Sequence, residues 1–270
     1  MKIIKLQLTI FLLLTLIISC DKAEENPDSI VETYPMRVGT EWNYDRQLII
    51  NEYEFIQPDV ILNSDTVDYK VKVWIDKDTL MGDTLNVKIF KALESDLIQA
   101  SINYMYLDNE GLKTYVYSNP GSMVFAYNFH QRIIQLRKSR LKSTHNYYTN
   151  DNQIYLENEP TLNLKLPLQL NLSWTYIKPT QQKSLQIDKK VVGIEKLKLI
   201  DTIFTCYKID YEYRNDERFE GIEISDWVSK QGLIKRKMSG FKIPTSTKET
   251  ETIDGYVEYT EILTLSNLKL

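Results

Sequence analysis

Lys70-Val71-Lys72-Val73-Trp74-Ile75-Asp76 is the stretch that decides the fold class. Val71, Val73 and Ile75 fall on one side of an extended chain, while Lys70, Lys72 and Trp74 fall on the other. Alternation with a period of two marks a strand with one buried face. Moving outward, the runs 47–50, 86–93, 101–107 and 112–117 have strand length and are separated by Asn, Asp, Gly and Pro clusters. The runs 204–213, 222–228, 233–238 and 256–265 repeat the theme in the second half. Eighteen tyrosines with only nine glycines and eight prolines favour strands over helices or disorder. No alternation of strands with helices and no glycine loop of the nucleotide-binding kind accompanies them, so the expected class is all-β and antiparallel.

The two halves share a motif. Pro35-Met36-Arg37-Val38-Gly39-Thr40-Glu41-Trp42-Asn43-Tyr44 aligns without gaps to Pro167-Leu168-Gln169-Leu170-Asn171-Leu172-Ser173-Trp174-Thr175-Tyr176. Gly39 and Asn171 can both take positive φ, so each copy predicts a turn entering a strand on which Trp and Tyr share a face. Tyr106–Leu112 and Trp227–Leu233 then match as hairpin turns closed by Gly-Leu. The expected organisation is two related β units at 34–130 and 166–270, forming curved sheets or half-barrels, with 131–165 as the connection. Residues 131–150 of that connection hold Arg132, Arg137, Lys138, Arg140 and Lys142 without an acidic residue, a local basic stretch in an acidic chain.

The amino end carries an address. Lys2 and Lys5 precede an apolar run from Leu6 to Ile18, and Ser19 stands before Cys20. Those thirteen residues would span about 20 Å as a helix, short of a hydrocarbon core of about 30 Å, so a secretory signal fits better than an anchor helix. The pattern resembles a bacterial lipoprotein signal. That resemblance implies removal of residues 1–19 and acylation of Cys20 with diacylglycerol and an amide-linked chain such as palmitate. Residues 20–33 then form a lipidated cysteine followed by an acidic, aperiodic tether.

The repeated Pro-x-x-x-Gly/Asn-x-x-Trp-x-Tyr pattern, with Trp227-x-x-x-x-Gly232-Leu233-x-Lys235-Arg236, is similar to a broad group of uncharacterised Bacteroidota envelope lipoproteins. The resemblance implies curved antiparallel sheets, some like half-barrel lipoprotein carriers. It also implies an envelope location, outer membrane in the first instance, with the periplasmic or surface side left open. Asp-Ser/Thr followed by an apolar residue resembles the O-glycosylation sequon of such envelope proteins, and Ser29 in the tether is its most accessible instance.

Chemistry is sparse. A formal charge of −4 gives no reason to expect a nucleic-acid partner. The only histidines, His130 and His145, do not form a zinc motif, and neither Asp76-Lys77-Asp78 nor Asn150-Asp151-Asn152 continues as a calcium loop. No metal or cofactor is expected. Gly-x-Ser-x-Gly is absent, and Cys206, among Phe204, Thr205 and Tyr207, reads as a buried structural thiol without a disulfide partner once Cys20 is lipidated. Tyr104 with Tyr106, and Tyr115 with Tyr117, fall on strand faces on either side of the Gly111 turn. They are expected to stand opposite each other, as cross-strand packing or as an aromatic ligand platform. The leading expectation is a non-enzymatic, lipid-anchored envelope protein whose partners are the membrane, through Cys20, and a protein or glycan ligand. A lipid or lipoprotein carrier predicts instead a deep apolar cavity, and a glycan hydrolase predicts a carboxylate pair in an open cleft.

Overall fold

The computed structural model describes residues 31–54, 60–82, 84–95, 99–118, 154–179, 185–199, 201–215, 221–246 and 253–270. Twelve strands follow one another: β1 (Glu41–Glu54), β2 (Ile61–Met81), β3 (Leu85–Glu94), β4 (Ser101–Leu107), β5 (Gly111–Ser118), β6 (Ile154–Lys165), β7 (Ser173–Ile177), β8 (Gln186–Leu199), β9 (Thr202–Arg214), β10 (Ile222–Ser229), β11 (Gly232–Ser246) and β12 (Ile253–Lys269). All pairings are antiparallel, in one sheet ordered β6-β5-β4-β3-β2-β1-β12-β11-β10-β9-β8-β7. The protein is therefore all-β, and the sheet curls into a nearly closed barrel. Val71, Val73 and Ile75 are buried in its interior while Lys70 and Lys72 are exposed, as the alternation predicts.

The two meanders β1–β6 and β7–β12 are not separate units. Val31–Leu270 is one compact unit, because β1 pairs with β12 from Glu41↔Lys269 to Glu54↔Gly255. The segment expected to be a connection, 131–165, contributes β6, which pairs with β5 from Gly111↔Lys165 to Ser118↔Ile154. Alternation in β6 is broken by a bulge on that strand itself, where Thr161 and Leu156 stand opposite Thr114 and Val116 of β5.

Both motif copies build the same turn. Gly39 N–H donates to the Ile75 carbonyl, Thr40 N–H to Arg37 and Ile75 N–H to Thr40. Asn171 N–H donates likewise to Val191, Leu172 N–H to Gln169 and Val191 N–H to Leu172. Gly39 has φ 89° and Asn171 φ 65°. A bulge follows at matching places, between Ile75 and Lys77 in β2 and between Val191 and Gly193 in β8. Trp42 and Trp174 both enter the same apolar cluster, with Phe90, Met105, Leu168, Ile209 and Leu265, but their indole N–H groups find different acceptors. Trp42 donates to the Gln231 carbonyl at 2.7 Å, whereas Trp174 donates to Leu162 of β6 at 3.1 Å.

That cluster fills the end of the barrel holding both motifs, where Val31 is buried and its carbonyl accepts from Leu168 N–H at 3.0 Å. A second cluster, including Leu48, Ile50, Tyr176, Ile187, Tyr211, Ile224, Met238 and Tyr259, packs further along the same strands. The ends of the sheet, β6 and β7, are bridged by side chains: Trp174 to Leu162, Lys189 Nζ to the Asn163 carbonyl at 2.9 Å, and Lys178 to Glu159 at 2.8 Å.

Two glycine positions separate conformational need from steric need. Gly39 has open space where a Cβ would stand, whereas a Cβ on Gly111, at φ 142°, would lie 2.0 Å from the Leu164 carbonyl oxygen of β6. Gly39→Asn should therefore cost about 1 kcal/mol or less, since asparagine tolerates the left-handed region. Gly111→Ala should cost about 3 kcal/mol or more by prising β6 from β5. Urea unfolding of the two variants checks both values.

Candidate functional site

Between the two apolar clusters the interior is charged. Position 46 of β1 lies between Tyr44 and Leu48 on the inward face, and its side chain, Arg46, is 0% exposed. Its Nη1 donates to Glu94 Oε2 at 2.5 Å, at the end of β3, and its Nη2 to Glu261 Oε2 at 2.9 Å, on β12. The guanidinium carbon also stands 5.3 Å from the centre of the Tyr69 ring on β2. One cation thus joins four adjacent strands. A buried arginine is tolerable because its planar fork can satisfy two carboxylates at once.

A second group forms across β8–β11. Asp226 of β10 accepts from Arg236 Nε at 2.5 Å and Nη2 at 2.7 Å, a bidentate pair, and from the Tyr211 hydroxyl at 2.7 Å. Burial works to raise the Asp226 pKa, but the Arg236 charge and hydrogen bonds outweigh it and hold the carboxyl below its ordinary value. Lys189 of β8 completes the group, with Nζ 4.0 Å from the Tyr176 ring centre and 4.4 Å from that of Tyr211. Burial pushes its pKa down to about 7, against the pull of Asp226 and with the push of Arg236. The register explains its place: Trp42 stands opposite Val73 in the first half, and Trp174 opposite Lys189 in the second. A lysine has taken an apolar position of the repeat, on the strand next to the bridged seam. Sequence reasoning missed it because β8 was not among the expected strands; extending the period-two count through Ile187, Lys189 and Val191 would have shown a charge on a buried face.

These groups define what the interior can do. Its middle presents charged residue types tied to one another by hydrogen bonds, where a carrier would need apolar walls. Glu94 and Glu261 converge, but both are buried and both bond the one Arg46 guanidinium. Glycoside hydrolysis needs one carboxyl protonated beside an accessible bond. The Cys206 thiol is buried, and burial, with the nearby Glu195 charge adding, pushes its pKa up to about 12. It packs in the first cluster as a small apolar group. Among the described residues no three His, Cys, Asp or Glu side chains gather as a metal site.

Among the described residues, one open cleft lies on the outer face, over β12, β1 and β2. It encloses about 450 Å³ and is lined by Asp45, Gln47, Asp68, Lys70, Ser95, Ile262 and Thr264, with Arg46 and Tyr69 behind them. Lys70 pairs with Asp45, and Gln47 Nε2 donates to Asp68 Oδ1 at 3.2 Å. Carboxylate, amide, ammonium and hydroxyl groups in one concave strip offer both donors and acceptors to a polar ligand.

Tyr104, Tyr106 and Tyr115 are half-buried on the side opposite the buried Asn103, Met105 and Thr114. They do not form the expected cross-strand pairs. Tyr106 lies opposite Lys113, and a bulge with Tyr115 as the extra residue places Tyr104 opposite Val116 and Tyr117 opposite Asn103. Tyr104 also lies opposite Ile89 of β3, which is buried. Cys20, Ser29, His130, His145 and the basic stretch 131–150 lie outside the described residues.

No protein-family model matches the chain, and no curated protein matches it. Among solved structures, it is similar to a chain from Parabacteroides distasonis described as a "putative lipoprotein", at 11% identity and TM-score 0.35, over 89% of this chain and 99% of that one. It is also similar to a DUF1329 family protein from Desulfovibrio piger, at 9% identity and TM-score 0.21, over 86% of each.

Two measurements test the charged interior. Arg46→Met should lower stability by about 3–5 kcal/mol because two carboxylates stay buried without their cation, and adding Glu94→Gln and Glu261→Gln should restore part of the loss. For Lys189, the folded pKa near 7 lies below the unfolded value of about 10.4. The unfolded chain then binds more protons between those values, so the lysine makes stability rise with pH, by up to about 1.4 kcal/mol per unit. Denaturant titrations from pH 7 to 9.5 should show this slope in the wild type and a flatter one in Lys189→Met.

Proposed function

We propose that the chain is a non-enzymatic, lipid-anchored protein of the bacterial cell envelope, and that it binds a polar ligand, a glycan or protein segment, on its outer face. The observation that carries this reading is the charged layer at mid-height of the barrel, around Arg46 and Arg236. Ion pairs at that level turn the interior over to structure, and the concave strip open to a ligand lies outside. The anchor rests on the signal-like segment with Cys20 at its end. Diacylglycerol plus an amide-linked chain supplies the two or more hydrophobic attachments that stable anchoring needs. An outer-membrane location follows from the resemblance of the motif to Bacteroidota lipoproteins, and the acidic tether suits display away from the bilayer.

Cys20→Ser tests the anchor. The variant should move from the membrane to the soluble fraction and lose labelling by an alkyne fatty acid; retained labelling refutes acylation at this sulfur. For the cleft, Gln47→Ala and Asp68→Ala should lower binding of an envelope glycan mixture by about tenfold, the loss of one or two net hydrogen bonds. Such substitutions should leave the unfolding free energy within about 0.5 kcal/mol of the wild type, as expected at an exposed surface.

A further inference from the structure

The end of the barrel that receives the chain at Val31 has apolar residues at its turns. Each copy of the motif places one immediately before its positive-φ residue: Val38 is 42% exposed and Leu170 is 53% exposed. The turn's hydrogen bonds are made by the backbone of Arg37, Gly39 and Thr40 in one copy and of Gln169, Asn171 and Leu172 in the other, so its geometry does not account for an apolar choice at Val38 and Leu170 made twice. Leu80 near the β2–β3 turn and Ile203 after the β8–β9 turn are each 65% exposed, and Leu107 before the β4–β5 turn and Leu270 at the carboxyl end are also exposed. Alternating strand direction brings all of these to one end of the sheet. Turn tips ordinarily carry polar residues.

We propose that this end docks on a lipid bilayer, with the apolar tips inserted among the headgroups. The occupant is indicated by the course of the chain. Val31 is tied at this end by Leu168, and Cys20, whose acylation this inference takes from the proposed function, stands eleven residues before it. Such a tether reaches about 40 Å when extended, which holds the tips near the surface at an effective concentration on the millimolar scale. Weak insertion is then enough to be populated. Exposed Arg37, Lys198 and Lys230 flank the tips, but so do Asp78 and Asp201, so the contact is apolar rather than a polybasic patch. It is accordingly indifferent to salt and to anionic lipid. The opposite end also exposes apolar residues, at Val60–Leu62 and Phe241, but the chain does not enter there, and Leu62 provides the control.

The buried Cys206 makes site-selective labelling practicable. Leu80→Cys, Ile203→Cys and Leu62→Cys, each labelled with an environment-sensitive NBD fluorophore, are compared as the acylated protein in phosphatidylethanolamine–phosphatidylcholine vesicles. Labels at 80 and 203 should shift to the blue and be quenched by doxyl lipid, unchanged in high salt, while the label at 62 stays in water. Adding Ile203→Asp to the Leu80→Cys protein should diminish the shift. Equal water exposure at all three positions overturns the proposal, as does a shift that high salt abolishes. The same readout on a Cys20→Ser chain, held by an amino-terminal hexahistidine tag on nickel-chelating lipid, separates the two ideas. Loss of fatty-acid labelling at Cys20 would sink natural acylation alone, whereas tips that stay in water under the artificial tether would sink the docking end alone.

Discussion

The ladder between β1 and β12 is the pairing on which everything else depends, because it turns two six-strand meanders into one sheet. Antiparallel strands that open and close the described fold exchange hydrogen bonds from Glu41↔Lys269 to Glu54↔Gly255. Edges of that length would otherwise be open to intermolecular pairing. Arg46 reinforces the joint from within. Its guanidinium bonds Glu94 on the first meander and Glu261 on the second, so the register of β1 against β12 is tied to the placement of β3. A shift of one residue would turn Arg46 outward and leave two buried carboxylates without a cation.

Closure on the other side is of a different kind. β6 and β7 end the sheet's order and are bridged by side-chain donors, Trp174 and Lys189, that reach β6 carbonyls. Related motifs thus begin both meanders but finish in unlike surroundings, and the tryptophans show it. Trp42 caps the turn after β10, while Trp174 seals an edge. Lys189 carries the asymmetry furthest, since the equivalent place in the first half is Val73. The amine there finds an acceptor, the Asn163 carbonyl, on the neighbouring sheet edge. The interior that results is apolar at either level and ionic between, which leaves the outer face and the ends of the barrel for interaction.

Much of this was legible locally. Val71, Val73 and Ile75 announced their strand because solvent lies on one face only, and Gly39 and Asn171 announced their turns because few residues tolerate positive φ. The buried Cys206 was legible from its neighbours for the same reason. β6 and β8 were not: a bulge within each strand breaks its own period, between Leu156 and Thr161 in β6 and between Val191 and Gly193 in β8, and Lys189 and Glu195 make β8 look solvated. The charged interior was hidden as well. Arg46, Glu94 and Glu261 are ordinary surface residue types, far apart in the chain, and only folding brings them within hydrogen-bond reach. Of the tyrosines, simple counting from the Leu107–Leu112 turn sets only Tyr104 opposite Tyr115, and the bulge at Tyr115 moves Tyr104 to Val116; Tyr106 lies opposite Lys113 by either count.

By itself, then, the sequence determined the strand-forming class, the twice-used Pro-to-Tyr turn and the signal-like segment ending at Cys20, because each is written in residues close along the chain and obeys a short period or a local backbone preference. Tertiary structure alone decided that the two halves share one sheet, that Arg46 and Arg236 each sit in a buried ionic group, and that exposed leucine and isoleucine tips gather at the end where the chain enters. Those outcomes depend on which strand edges meet, and pairing between distant edges is set by the fit of whole faces and not by any single stretch of sequence.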